Sequence, residues 1–470
     1  MRQHHVIGND PLRLARWEWS IHEASFRLGR IDDAQQSGRN ALRLAGRPVP
    51  TTPLGATVGF LGQVAIRLWR KWLPKLAGTA PIHQRPDRLW ATNILNRLTE
   101  IHIYRENPPG LLDSAMRELN TAEPVGPSAE LARAYAILTV VFATIPLAGL
   151  CKAWAKRAIE TAEISNDPAK LSYVTSRLGV YHICVADWTS AERDLRRSIA
   201  LARDYGDRRL RVESLSVLGY TLLYQGKLAE MEPVFAQVGV LAREADDAQV
   251  ESWHHAGGGA GFLRQGRNEL ARKHLAIAVK YRASSGELIT TVGLYALALY
   301  RCGDKIEARK QADEMYPLVA GKRPVAYWTQ HGLCSLCLTY MGLWDEAAPG
   351  SPQAVDLQQR SQALATAMVV FGKIFPFGVA LGHLWMGAYL RRVGQFATAQ
   401  RRLQLAIDRA VRVSQPYEQG LAWRELAKFP DVDPEQQRSM VEKAVALLDQ
   451  MGAKHDWSEA KTALDATGSK

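Results

Sequence analysis

A phrase recurs along this chain of 470 residues: a small turn residue followed five positions later by alanine, as in Gly266 with Ala271, Gly303 with Ala308, Gly342 with Ala347 and Gly394 with Ala399. The turn residues Ala186, Gly226, Gly266, Gly303 and Gly342 are separated by 40, 40, 37 and 39 positions, and the next interval, to Gly394, is 52. A period of this length marks a supersecondary unit that buries its apolar face only by stacking on copies of itself. The chain is therefore expected to be all-α, a stack of helical hairpins whose core grows with each repeat.

Aligned on the turn, the small and large positions fall into register. Seven residues before it stand Gly179, Gly219, Gly259, Ala296, Ser335 and Gly387, and eight before it Leu178, Leu218, Gly258, Tyr295, Cys334 and Met386. Small residues at the first offset, with Ala191, Ala271, Ala308, Ala347 and Ala399 after the turn, let the two helices of a hairpin approach closely.

This pattern resembles the tetratricopeptide repeat (TPR) over nearly the whole chain. The resemblance implies a right-handed superhelical solenoid of about ten TPR-like hairpins. The period exceeds the usual 34 residues, and such longer repeats resemble the sensor regions of bacterial signal-transduction ATPases, among them maltose-regulator-type activators and ATPase-linked nucleotide cyclases. Segments 42–50, 129–135 and 447–464 carry most of that likeness. No G-x-x-x-x-G-K-[ST] phosphate loop, cyclase or kinase signature, or C-terminal helix-turn-helix is found. The resemblance thus implies a sensor region alone, without the family's catalysis or promoter binding.

Along the chain the rhythm predicts a hairpin over 1–45, turning at Gly29, with Trp17, Trp19, Phe26 and Leu28 before the turn and Ala34, Ala41 and Leu44 after it. Residues 46–87 form a proline-rich insertion (Pro48, Pro50, Pro53, Pro74, Pro81, Pro86) around a basic amphipathic helix at about 58–76, with Phe60, Leu61, Leu68, Trp69 and Trp72 beside Arg67, Arg70, Lys71 and Lys75. Such a helix either lids the N-terminal end of the stack or meets an acidic membrane surface or a partner. Repeats are expected over 88–348, as hairpins at 88–122, 128–165, 168–205, 208–245, 248–284, 287–321 and 324–348. An irregular insertion or extra helix follows at 349–375, then hairpins at 376–414 and 417–450 and a capping helix within 376–470. The apolar run 363–381 matches a membrane span in length, but Lys373 and Pro376 interrupt it, so buried helices are expected.

The chain is 47% hydrophobic and 23% charged, as in ordinary folded proteins. Lys and Arg number 59 against 47 Asp and Glu, a net charge of +12. The basic residues stand mostly beside acids on helices, and nucleic-acid motifs are absent, so no specific nucleic-acid partner is expected. Five cysteines, an odd number within apolar stretches, suggest reduced thiols. With no secretory signal over residues 1–10, a cytoplasmic location is expected.

In repeats of this type, the resemblance places exposed concave positions at 13, 10, 6, 3 and 2 before the turn. The resulting candidate groove comprises Tyr173, Glu213, Tyr220, Tyr224, Trp253, Tyr300, Arg301 and Tyr340, with His254 beside Trp253 and with Gly293 and Gly332 among the small residues between. It is aromatic and apolar, suiting an apolar helix, a hydrophobic peptide or a flat small molecule. The same residues would expose no groove if they packed on neighbouring repeats.

His255, His331 and His383 all stand 11 before their turns, with Cys334 one helical step from His331. These are metal-ligand types, but the offset is a packing position and successive repeats lie about 10 Å apart. Core histidines are therefore expected, with no metal or other cofactor. Cys334 and Cys337, a lone pair on a helix, read as packing. Gly257, Gly258, Gly259 and Gly261 within one helix cost about 1 kcal/mol each against alanine, offset either by close helix approach or by room for a ligand beside Trp253.

With no nucleophile–base–acid set at motif spacing, the expected function is a non-catalytic protein that binds a protein or peptide with an apolar segment and scaffolds or regulates it. The alternative is a small-molecule binder or enzyme in the hollow of the solenoid, with Glu213, His254 and Tyr220 as its polar groups.

Overall fold

The computed structural model describes residues 11–27, 30–73, 79–143, 148–281, 284–324 and 326–468. The expected turn at Gly29, with Leu28, and the residues Pro74 and Lys75 lie outside the described residues. Among those described there is no strand, and 22 α-helices pack as successive antiparallel hairpins.

The half-period is a helix of 17 or 18 residues and a short connection. Left-handed backbone recurs at Ala186 (φ 62°), Gly206 (72°), Gly226 (74°), Asp246 (53°) and Gly266 (75°), one such residue every 20. Each closes the helix before it: the Gly226 N–H bonds to Leu223 O (3.2 Å) and the Lys227 N–H to Leu222 O (2.9 Å), a Schellman ending. Where the next residue is aspartate, its carboxylate caps the following helix, as Asp187 does for the Ser190 N–H (3.1 Å) and Asp207 for that of Leu210 (3.0 Å).

The chain divides into two compact units, residues 1–178 and 179–470. The first contains α1 (Pro11–Arg27), α2 (Ile31–Leu44), α3 (Pro53–Trp72), α4 (Arg85–Tyr104), α5 (Pro108–Ala122), α6 (Ala129–Phe142), α7 (Ala148–Ser165) and most of α8 (Pro168–Cys184). Its core joins Ala34, Ala41 and Leu42 of α2 to Ala91, Ile94, Leu98 and Ile101 of α4. The inserted helix α3 lies along α5. Gln63, Arg67 and Arg70 hold it there: Asn120 donates to the Gln63 carbonyl (2.9 Å), Arg70 donates to Asn120 O (2.6 Å), and Arg67 pairs with Glu123.

The second unit runs α9 (Trp188–Asp204), α10 (Arg208–Tyr224), α11 (Leu228–Ala245), α12 (Ala248–Arg264), α13 (Asn268–Ala278), α14 (Ser285–Arg301), α15 (Lys305–Val319), α16 (Gln330–Glu346), α17 (Pro352–Ile374), α18 (Val379–Arg392), α19 (Phe396–Arg412), α20 (Pro416–Leu426), α21 (Pro434–Gln450) and α22 (Lys454–Gly468). The turn expected at Gly342 is absent. Gly342 lies inside α16, where a Cβ would come 2.4 Å from the Tyr300 hydroxyl, and the reversal occurs at Gly350 (φ 76°). Of the two readings of 349–375, the structure has the helix: the 23-residue α17, which packs on α16 as the second helix of its hairpin. The apolar run 363–381 is divided between α17 and α18 by a short 3-10 turn over Pro376–Gly378.

Size complementarity explains the small positions. A Cβ on Gly179, Gly219, Gly259 or Gly387 would come 2.5–2.7 Å from Leu195, Phe235, Leu275 or Leu403, each nine residues after the turn. Where the small position is Ala296, its counterpart shrinks to Ala312, and both are fully buried. The hairpin of α10 and α11 departs from the rule, with Phe235 and with Met231 in place of the alanine, and α12 compensates. Gly257 receives the Phe235 ring (2.1 Å from a Cβ) and Gly261 receives Met231 Cε (2.1 Å).

Three of the four glycines of α12 are therefore packing surfaces, while a Cβ on Gly258 would meet only His274 Nδ1 and Phe262, both at 3.6 Å. Gly258→Ala is expected to raise stability by up to about 1 kcal/mol. Gly257→Ala and Gly261→Ala should lower it by about 1–3 kcal/mol through overpacking. Urea denaturation of the three variants checks the contrast, and equal effects would refute this account of the glycines.

Candidate functional site

The second unit curls so that its last helices rest on its earlier ones. A Cβ on Gly226 would come 2.4 Å from Met451 Sδ, one on Gly266 would come 3.2 Å from the His455 backbone nitrogen, and the Trp188 indole N–H donates to Val413 O. The inner ends of α10, α12 and α14 are thereby covered, and the groove residues separate into distinct environments.

Tyr224 is fully buried, and Tyr220 is partly so. The His331 ring stacks on both, at 5.0 Å from each centroid, while Trp188 and Phe377 close the cluster around Tyr224. Burial holds the His331 imidazole well below its ordinary pKa, so the ring is neutral and the stability it confers is present above about pH 6.5 and lost as pH falls from there. Tyr340 is fully buried and donates to Asp313 (2.7 Å), and Tyr300 donates to Glu346 (3.2 Å). Arg301 donates to Leu263 O (2.9 Å) and lies 3.7 Å from the buried Asp456 of α22.

Beside Arg301, Asp456 accepts from Arg424 (2.9 Å) and from the Tyr417 hydroxyl (2.7 Å), and Arg264 sits over the Tyr417 ring (3.9 Å) and near Glu418 (3.7 Å). Buried charges occupy what an open groove would offer a ligand. Sequence offsets pointed to Arg301 but not to Asp456, Tyr417 or Glu418, whose positions lie more than a hundred residues away.

Glu213 and Trp253 are partly buried, the Glu213 side chain 17% exposed, on a polar row across α10, α12 and α14. Arg209 donates to Glu213 (2.9 Å) and Gln249 (2.8 Å) and lies over the Trp253 ring (4.8 Å), while Trp253 and Gln249 donate to Glu287 (2.9 and 3.2 Å). His254 bonds through Nδ1 to Phe235 O (2.7 Å). His255, His331 and His383 do not meet; His255 instead contacts His274 of α13. Cys334 and Cys337 have thiols pushed up by burial, Cys334 to about 12, as suits packed, unreactive groups.

Tyr173 belongs to the first unit. Its ring lies between the guanidinium groups of Arg133 (4.6 Å) and Arg177 (4.9 Å), and its hydroxyl accepts from Asn96 (3.3 Å). Asn96 also donates to Glu118 (3.0 Å), a fully buried carboxyl. Burial pushes Glu118 up to about 8, against the pull of Arg133, so it is protonated at neutral pH. Since the folded pKa lies above the unfolded one, this group penalises folding increasingly as pH rises from about 4.5 to about 8. Glu118→Gln should match the parent melting temperature at pH 4 and exceed it at pH 9; a constant difference across that range would show the assignment to be mistaken.

A second surface was only partly foreseen. The residues of α3 turned away from α5 include Leu54, Val58, Leu61, Ala65, Leu68 and Trp72, all exposed, with Leu54 at 75% and Trp72 at 72%. Their spacings of 4, 3, 4, 3 and 4 are those of a coiled-coil seam. No helix of the described residues is long and apolar enough to cross a membrane.

No protein-family model matches the sequence, and no curated protein is significantly similar to it. Among solved structures, the apo form of RapI aligns with a TM-score of 0.49 at 9% identity, over 86% of this chain and 99% of that one. The Cut9–Hcn1 hetero-tetramer of the APC/C gives 0.33 at 10%, over 96% and 98%. The P58(IPK) TPR domain gives 0.25 at 10%, over 97% and 99%. At such scores these likenesses carry nothing about ligand or partner. The left-handed turns, the glycine seven residues before them and the buried alanine five after them make this an all-α protein of TPR-like helical hairpins.

Proposed function

We propose that the chain is a non-catalytic helical-repeat protein that binds a protein partner through an apolar helix. The observation that carries this reading is the outward face of α3. A contiguous exposed apolar stripe on an otherwise well-packed molecule marks an interaction site, and a stripe with 4-3-4-3-4 spacing is complementary to another helix. The buried side of α3, anchored by Arg67 and Arg70, holds the stripe in place before binding, which lowers the ordering cost. In the concave groove Tyr224 and Tyr340 are core residues, so its contribution narrows to the partly buried row of Glu213 and Trp253.

Photo-crosslinking in the native host, with the reactive residue at position 61, 68 or 253, tests the assignment. The expected result is a protein adduct from positions 61 and 68 that disappears in a Leu54→Asp, Trp72→Asp double variant of unchanged melting temperature. An adduct from position 253 alone would move the site to the concave row. Lipid adducts, with flotation on anionic liposomes that is lost on deleting residues 54–80, would replace the partner protein by a membrane surface.

A further inference from the structure

We infer that His254, His255 and His274 form a binding site for one divalent transition-metal ion of the zinc class. The three side chains each offer a ring nitrogen, and these nitrogens lie within 4.8 Å of one another. His255 Nδ1 and His274 Nδ1 are 3.1 Å apart. Two imidazoles bound to one tetrahedral zinc at about 2.0–2.1 Å hold their nitrogens roughly 3.3–3.5 Å apart, so this hydrogen-bonded pair is close to ligand spacing, and the proton between the two nitrogens would move to the far nitrogen of its ring on binding. For all three to reach one ion, the 4.8 Å separation must shorten by about 1.3–1.5 Å.

The surroundings orient the rings as those of metal ligands are oriented. His254 directs Nδ1 at Phe235 O (2.7 Å), which fixes the proton there and leaves Nε2 as the lone-pair donor. Its ring occupies space that exists because residue 239 is glycine, where a Cβ would come 2.8 Å from the imidazole. Glu251 Oε1 lies 3.8 Å from His255 Nε2, on the side of the ring away from His274, where a carboxylate steadies a ligating histidine. Gly258, the one glycine of α12 that close packing does not require, stands beside His274 Nδ1, which a Cβ there would meet at 3.6 Å.

Burial and the nearby Arg243 and Arg267 disfavour positive charge on the three rings. The two arginines also oppose a cation, which points to moderate affinity. Three neutral nitrogens with no oxygen cage select zinc, cobalt, nickel or copper over magnesium and calcium. The three rings are partly buried, which leaves them within reach of an ion from solvent.

The test is titration of the full chain, stripped with chelator, with Co2+ and then Zn2+. The expected result is one equivalent of Co2+ producing the visible bands of a tetrahedral nitrogen site, displaced by Zn2+, with no response to Mg2+. Affinity should fall at least tenfold in His274→Gln and in His255→Gln and stay unchanged in His383→Gln. Zinc should also protect His254, His255 and His274 of the unaltered chain from diethylpyrocarbonate, read by peptide mass spectrometry, which needs no variant to fold. Absence of saturable binding below about 100 µM, binding that survives His274→Gln, or protection elsewhere would overturn the assignment.

Discussion

Replacing Asp456 by alanine is expected to cost about 3–5 kcal/mol, the usual effect of removing one partner from a buried ion cluster. Its carboxylate is fully buried, 2.9 Å from Arg424, 3.7 Å from Arg301 and 2.7 Å from the Tyr417 hydroxyl. Burial works against its charge, yet Arg424 and Arg301, with lesser help from His455 and Tyr417, hold the group well below the usual carboxylate range. Without it two guanidinium groups remain buried beside each other.

Hydrogen exchange should show the loss first in α20 and α22, the helices that Asp456 ties to α14. The depressed pKa also fixes the sign of the pH dependence: the stabilisation is present above about pH 4 and is lost as pH falls through the folded value. Asp456→Asn should therefore flatten the acid limb of the stability profile. An alanine variant within 1 kcal/mol of the parent would mean that the cluster does not hold the C-terminal helices in place.

Gly332→Ala is expected to be comparably damaging, by about 3 kcal/mol or more. A Cβ there would lie 1.9 Å from Ile289 O and 2.8 Å from Thr290 Cα, and one on Gly293 would lie 2.6 Å from Gly332 O. The helices α14 and α16 touch backbone to backbone, so no rotamer change relieves the clash and the whole helix pair must separate. Against this, alanine regains only about 1 kcal/mol of helix propensity. Gly342→Ala is the comparison: its clash is with the partly exposed Tyr300 side chain, which can swing away, so the loss should be smaller. Thermal melts of the two variants decide, and equal losses would contradict the backbone-contact explanation.

Local features were readable where the physical cause lies within one hairpin. Glycine followed by an aspartate cap announces a reversal, as at Gly206 and Gly303, and a glycine seven residues before the turn answers a large residue nine after it. Gly342 misled because glycine serves two ends: the same residue that permits a left-handed turn also makes room for a ring, here that of Tyr300.

The groove reading ran out for a different reason. Offsets within a repeat say which way Tyr224 or Tyr340 points, not what meets it there. Of the rings that meet Tyr224, His331 and Phe377 lie more than a hundred positions away. His274 is hidden for another reason: the shared offset aligns His255 with histidines of other repeats, while its actual neighbour stands on the second helix of its own hairpin.

By itself the sequence determined the all-α class, the turn cell and the small-against-large packing inside each hairpin, because those depend on backbone conformation and on contacts a few turns apart. Only the tertiary structure decided that α20 and α22 cover the inner face of the second unit, that α3 turns its apolar seam outward, and that three histidines converge. Each of these is a choice among several apolar or polar faces that a periodic sequence offers equally, made in the first two cases by burial against helices that are not neighbours in the chain and in the third by how α12 seats on α13.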